Sequence, residues 1–242
     1  MRWTWSRVAA VVLAVGVVSG SSGCAEGVAV MFSEKDAAGM TRGEVSRLSM
    51  EEQFDLLGER YARAQELMTA AQLQVSDGVW KWYTAGLGTL SGPVGWDPLP
   101  GVTLENAYYL DMGRYFSPPG AVGAREDAEP MYAYFASQGW EAELREVPDS
   151  RGQDSVRFQV NAFTEDRFFL TYELYPDGHY NLLVRSSMYW TAGDQSDLDA
   201  EVMYRIPEGG VFPPGDESVP GVYTPFPKWS DPKVWSPRGA GE

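Results

Sequence analysis

From Met50 onward, apolar or small residues recur at alternating steps of four and three. Met50, Phe54, Leu57, Tyr61, Ala64, Met68, Ala71 and Val75 therefore share one face of a helix. Ser49-Met-Glu-Glu52 opens it as a capping box, in which the serine hydroxyl and the Glu52 carboxylate each satisfy an orphan backbone N–H. Ser76-Asp-Gly78 stops it. Glu51, Glu52, Asp55, Glu59, Arg60 and Arg63 lie off the stripe. The pattern also suits a coiled-coil seam, but Ala64 and Ala71 favour close approach to a sheet.

The period then changes to two. Val79 to Thr84 reads as a short strand with Trp80 and Trp82 on one side. Residues 85–103 are rich in Gly and Pro and predict a long loop around Trp96, of a length that tends to be functional or mobile. Asn106 to Arg114 reads as a second strand, ended by Ser117-Pro-Pro-Gly120. Asp127 is the expected cap of a shorter helix with Met131, Tyr134 and Phe135 inward and Gly139 just past its end.

Four alternating stretches follow, at 140–145, 156–162, 168–174 and 180–188, joined by short turns. Tyr175-Pro-Asp-Gly-His179 reads as a type I turn with Gly178 left-handed. Asp197 to Tyr204 suits a short helix capped by Ser196. Residues 207–242 are loaded with Pro and Gly and predict an extended tail that wraps the domain or stays loose.

These elements predict an α+β fold. An antiparallel β-meander of four strands, plus one or two earlier strands, is covered by the long N-terminal helix and the second, shorter helix. The other face is expected to be largely wet. The predicted organisation is a signal peptide at 1–23, a lipid-anchored tether at 24–47, the α+β domain at 48–206 and the tail at 207–242. Residues 25–47 show no clear period, beyond a possible turn at Thr41 to Glu44. The competing reading packs Val28, Val30, Met31 and Phe32 onto the domain.

The N-terminus carries the address. Arg2 and Arg7 precede an apolar run from Val8 to Val18, then small residues, then Cys24. A charged start, a short apolar middle and a small-residue end define a secretory signal. The run falls short of the ~20 residues of a spanning helix. Its end resembles a bacterial lipobox, in which the cysteine is acylated and becomes the new N-terminus, although Ser21 stands where Leu, Val or Ile is usual. Cys24 is the expected lipid attachment site. The competing reading is ordinary cleavage nearby, with Cys24 left as a bare thiol. At least two acyl chains would hold such a protein stably.

Composition narrows the partners. The chain carries 34 acidic and 19 basic residues, for a net charge of −15, and loss of Arg2 and Arg7 makes the mature form more acidic still. Nucleic acid is excluded as a natural partner, because phosphate contacts need clustered Lys and Arg. Membrane contact is expected through the lipid alone. One cysteine rules out an intrachain disulfide, so the domain must hold by packing.

No catalytic motif stands out, so no enzyme, cofactor or metal is expected. His179 is the only histidine and sits in a turn. Glu126, Asp127 and Glu129 read as charges at a helix N-terminus. Asp194, Asp197 and Asp199 could gather calcium but lack the EF-hand pattern. Trp80, Trp82 and Trp96 could stack on sugars or a partner, though core packing is the plainer role.

The plan resembles the envelope lipoproteins of actinobacteria, the mycobacterial LppA-like group among them. The likeness rests on the signal ending in Cys24, the helix from Ser49, and Ala133-Tyr-Phe-Ala-Ser-Gln-Gly-Trp140 leading to Val184-Arg-Ser-Ser187. Many such proteins carry a disulfide near the last strand; here Met188 follows and the pair is missing. The resemblance implies a cell-envelope lipoprotein with an α+β domain, and brings no activity or site residues. Three functions are weighed: a non-catalytic binding or scaffold protein, an extracytoplasmic carboxylate-dependent hydrolase, and a carrier of an apolar ligand. A deep cavity under the Ser49 helix would favour the carrier, paired inward carboxylates the hydrolase, and a filled core without a cleft the scaffold.

Overall fold

Residues 34–47 were expected to belong to the tether, yet they fold onto the domain. The computed structural model describes residues 34–83, 89–91, 99–148, 156–207 and 213–234; Cys24, the signal and Trp96 lie outside them. Asp36 explains the attachment. Its carboxylate accepts the backbone N–H groups of Ala38, Met40 and Trp190. Trp190 Nε1 donates to the Glu34 carbonyl, and the Ala37 N–H donates to the Met188 carbonyl. Burial pushes the Asp36 carboxyl above the usual range, against the pull of those N–H donors and of Arg60. Thr41 and Glu44 then form a capping box on α1 (Arg42–Val45), which buries Val45 beside Met188 and Trp190.

The Ser49 capping box forms as the sequence indicates. The Glu52 N–H donates to Ser49 Oγ at 3.2 Å, and the Ser49 N–H donates to Glu52 Oε2 at 2.7 Å. It opens α2 (Met50–Gln72). Phe54, Leu57, Tyr61, Ala64, Met68 and Ala71 are all buried, so the expected stripe is the core face.

Beneath it lies an antiparallel sheet. Its strands are β1 (Trp80–Trp82), β2 (Thr89–Ser91), β3 (Ala107–Phe116), β4 (Glu141–Pro148), β5 (Val156–Phe163), β6 (Phe168–Leu174), β7 (Tyr180–Ser186), β8 (Tyr189–Trp190) and β9 (Glu217–Ser218). The order is β4-β5-β6-β7-β3-β1-β9, with β2 and β8 also paired to β3. The expected meander is β4 to β7, and β3 and β1 extend it. The helices α3 (Glu129–Ser137) and α4 (Gln195–Met203) complete the α+β fold. α4 is capped by Asp194, whose carboxylate accepts the Ser196 N–H, rather than by Ser196.

Leu110, Met112, Leu170, Leu182 and Val184 meet α2 from the sheet, and each is essentially inaccessible. Burying a side chain of that size contributes about 1.5–3 kcal/mol. Arg114 shares this face at 2% exposure. Its guanidinium lies over the Trp82 ring, 3.2 Å from the centroid, and Nη1 donates to the Gly113 carbonyl. Burial lowers its pKa to about 10, so it stays charged at neutral pH.

The opposite face is less wet than expected. Gln159, Asn161, Thr171, Glu173 and Asn181 lie in its centre, yet all are buried. Side chains on this face cover one another. Arg157 pairs with Glu173 at 3.2 Å, Tyr175 Oη donates to Glu173 at 3.0 Å, and Arg145 donates to Gln159.

Residues 213–234 wrap the domain. Tyr61 Oη donates to the Thr224 carbonyl at 2.7 Å, and Phe226 packs on Phe54 and Tyr61. Trp229 meets Phe54 edge-on. Gly58 makes room for this: a Cβ there would sit 2.9 Å from Phe226 Cδ1. Gly58→Ala should therefore destabilise by about 1–2 kcal/mol in chemical denaturation, although alanine is the better helix former by about 1 kcal/mol. Adding Phe226→Ala should remove most of that penalty, so the two changes will be non-additive.

Candidate functional site

Asp127 does not cap α3. The chain makes a 3-10 turn at Arg125–Asp127, and α3 begins after Ala128 with no side-chain cap bond. The Asp127 carboxylate instead accepts the Tyr180 hydroxyl at 2.5 Å, and the Gly123 N–H donates to the same Tyr180 oxygen at 3.2 Å. Tyr180 opens β7 opposite Phe116, the last residue of β3. That register aims its ring at the helix side of the sheet. The 121–123 loop presses on the 175–179 turn so closely that a Cβ on Gly178 would lie 2.4 Å from the Ala121 carbonyl oxygen. Gly178 also adopts φ +79°, as its turn requires.

This interlocking leaves a cleft of about 590 Å³ between the end of α2, the loop after β3 and Asp127. Its aromatic wall is built from three strands. Tyr180 stands between Phe116 and Tyr172, at 82° to the first ring (centroids 5.6 Å apart) and 84° to the second (6.1 Å). Tyr172 is 0% exposed, and its hydroxyl has no hydrogen-bond partner. Buried tyrosine hydroxyls usually find one, and an unsatisfied one costs about 1–3 kcal/mol. Val75, Pro118, Pro119 and Pro130 supply apolar surface, while Glu126 and Asp127 bring carboxylates. Among the described residues no lysine, arginine or histidine lines the cleft.

Both phenols are neutral at ordinary pH. Burial, then the bond to Asp127, pushes Tyr180 up to about 12. Tyr172 is raised further, by burial first and then by Tyr180 and Asp127. An apolar wall of Val75, Phe116 and prolines under a carboxylate rim is equipped for binding. They do not bring an inward-facing carboxylate pair or a nucleophile with its base together.

A larger cleft, about 760 Å³, lies near Arg42 and Gly193. Its polar groups bond one another: Asn106 bridges the Thr103 N–H and the Gly101 carbonyl, and Thr191 donates to the Gly193 carbonyl. That leaves less for a ligand than the Tyr172 cleft does.

The remaining residues singled out in the sequence lie elsewhere. His179 is in its turn, with its ring 4.8 Å from Tyr115. Trp80 and Trp82 are in the core. Among the described residues no cluster of His, Cys, Asp or Glu suits a metal. Tyr172 and Tyr180 were legible only as inward strand positions; two phenols on neighbouring strands where aliphatics would serve was the available signal. No family model matches the chain, and neither a curated protein nor a solved structure does.

Tyr172→Phe should leave thermal stability unchanged or slightly raised, since it removes a hydroxyl that nothing satisfies. Tyr180→Phe should cost about 1–3 kcal/mol, because it strips Asp127 and the Gly123 N–H of their partner. A pH series provides a second check. The folded pKa of Tyr180, about 12, lies above that of a free phenol, so stability is full below about pH 10 and is lost as pH rises from there through the folded value. Tyr180→Phe should flatten that alkaline decline.

Proposed function

We propose that this chain is a lipid-anchored extracytoplasmic protein of the cell envelope, with a non-catalytic binding role seated in the Tyr172–Tyr180 cleft. The observation that carries the binding role is the open cleft of about 590 Å³ at the end of α2, rimmed by Glu126 and Asp127, with the unpartnered Tyr172 phenol buried behind its wall. A scaffold with a filled core would have no such feature. A carrier would place its cavity under α2, but that interface is closed by Phe54, Leu57, Ala64, Met68 and Ala71.

The anchor rests on the sequence of the signal and on Cys24. Among the described residues no helix is long and apolar enough to cross a membrane. The fold bears on how such an anchor would present the cleft. The chain enters beside Trp190, which pairs with Ala107 at one end of β3, while Phe116 and the cleft stand at the other. A ten-residue strand spans roughly 30 Å. With residues 34–41 clamped by Asp36, the cleft stands at the opposite end of β3 from the place where residue 34 enters.

Intact mass of the protein isolated from membranes tests this. The expected result is an N-terminus at Cys24 carrying acyl groups, with Cys24→Ala moving the protein to the soluble fraction. A wild-type protein found wholly soluble with a bare thiol would overturn the anchor.

A further inference from the structure

We propose that two copies of this chain associate through β4, pairing antiparallel about Leu144 so that their two sheets run on as one.

β4 is the outer strand of the sheet, joined to β5 alone among the described residues. It pairs with β5 one residue to one from Glu141 to Pro148, without a bulge. About half of its backbone N–H and C=O groups therefore face outward in a regular row. Natural edges of this kind are kept short, bulged or covered. The opposite edge, β9, follows that habit at two residues. β4 is eight residues long, roughly 26 Å, and its side chains are exposed or half-buried throughout.

The charges on β4 select both the partner and the register. Around Leu144 the order Glu141-Ala-Glu-Leu-Arg-Glu-Val147 is self-complementary. With Leu144 opposite its own copy, Glu143 of each chain stands across from Arg145 of the other, twice over by symmetry. Glu141 then meets Val147, and Ala142 meets Glu146. A slip of two residues in one direction sets Glu143 against Glu143, and in the other Arg145 against Arg145. Like charges directly opposite destabilise a strand pair and unlike ones strengthen it.

Arg145 is free to make that bond. Its Nε and Nη2 donate to Gln159 Oε1. Nη1 lies 4.0 Å from Glu143 Oε2 of its own chain, too far for a hydrogen bond. On the helix side, Ala142 and Leu144 are half-buried beside a groove of about 570 Å³ between β4 and α3, where Tyr132 is exposed. A second β4, added at the strand spacing of about 4.8 Å, lays Leu144 against Leu144 at that groove.

The net charge of −15 sets the copies against each other at long range. At physiological salt that field is screened beyond about 8 Å, whereas pairs covered by the contact are screened much less. The local pattern therefore decides the encounter.

Sedimentation velocity tests this on the full chain in mild detergent with Cys24→Ala, which leaves no acyl group or thiol to join copies. The expected result is a reversible dimer at about 100 µM, a concentration suited to a contact of this small size. Glu143→Arg and Arg145→Glu should each weaken it about tenfold or more, since each sets two like pairs face to face. Mixed one to one, the two variants should associate again, because one chain then carries two positive charges at these positions and the other two negative. Misfolding of either variant would give no such rescue. In the same Cys24→Ala background, Leu144→Cys should yield a disulfide-linked dimer with diamide. Glu146→Cys, on the same face but four residues away from its own copy, should not. A monomer with β4 amides protected from hydrogen exchange would give the edge to a segment of the same chain, and a monomer with unprotected amides would leave it to a different protein; either overturns the proposal. So would a dimer indifferent to both charge reversals, or cross-linking at Glu146→Cys in preference to Leu144→Cys.

Discussion

Between Asp111 and Phe116, β3 pairs residue for residue with β7, from Asp111 opposite Arg185 to Phe116 opposite Tyr180. That register decides which side chains meet α2. Leu110, Met112, Arg114 and Phe116 point to the helix, while Asp111 and Tyr115 point away. A slip of one residue would exchange the two sets and put the Asp111 carboxylate in the core. The pairing is reinforced on the far face, where Arg185 Nη2 lies 2.9 Å from Asp111 Oδ2. With a single cysteine in the chain, no intrachain disulfide can back it up. The rest of the molecule therefore depends on this one strand pair staying in step.

Both ends of β3 take their character from it. At Ala107 the strand meets Trp190, to which Asp36 clamps the entering chain. At Phe116 it sets the first of three rings, with Tyr180 beside it on β7 and Tyr172 on β6. In the middle, Arg114 is buried, joins no ion pair among the described residues, and is held by the Trp82 ring. A buried charge of this kind is tolerated because the ring and the Gly113 carbonyl replace part of the lost hydration. The clamp on the entering chain and the proposed binding cleft are thus at two ends of one strand, and the distance between them is a property of strand length.

The sequence revealed what periodicity can encode. The Ser49 helix, its capping box, the four-strand meander and the Gly178 turn all rest on local spacing, and all are present. Three features were hidden because their causes are long-range. Residues 34–47 have no period, since Asp36 binds backbone groups as distant as Trp190. The strands β2, β8 and β9 are two or three residues long, too short to show alternation. Asp127 looked like a helix cap because caps are local, but Tyr180, 53 residues away, bonds it instead. The cleft follows from that exchange. An unpaired hydroxyl is a property of what surrounds Tyr172 in space, and no sequence pattern records it.

The acidic balance of the chain gains its meaning from where carboxylates find partners. Glu173 is met by Arg157, Asp111 by Arg185, Asp166 by Arg63, and Glu201 by both Arg205 and Lys233. These carboxylates meet a cation of the chain itself. Others do not: Asp36 is held by backbone N–H groups, and Asp127 is tied to the sheet through a phenol, which lends a hydrogen bond but no positive charge. Glu126 beside it is exposed, and neither joins an ion pair among the described residues. Exposed carboxylates alone exert a field that water and salt screen heavily.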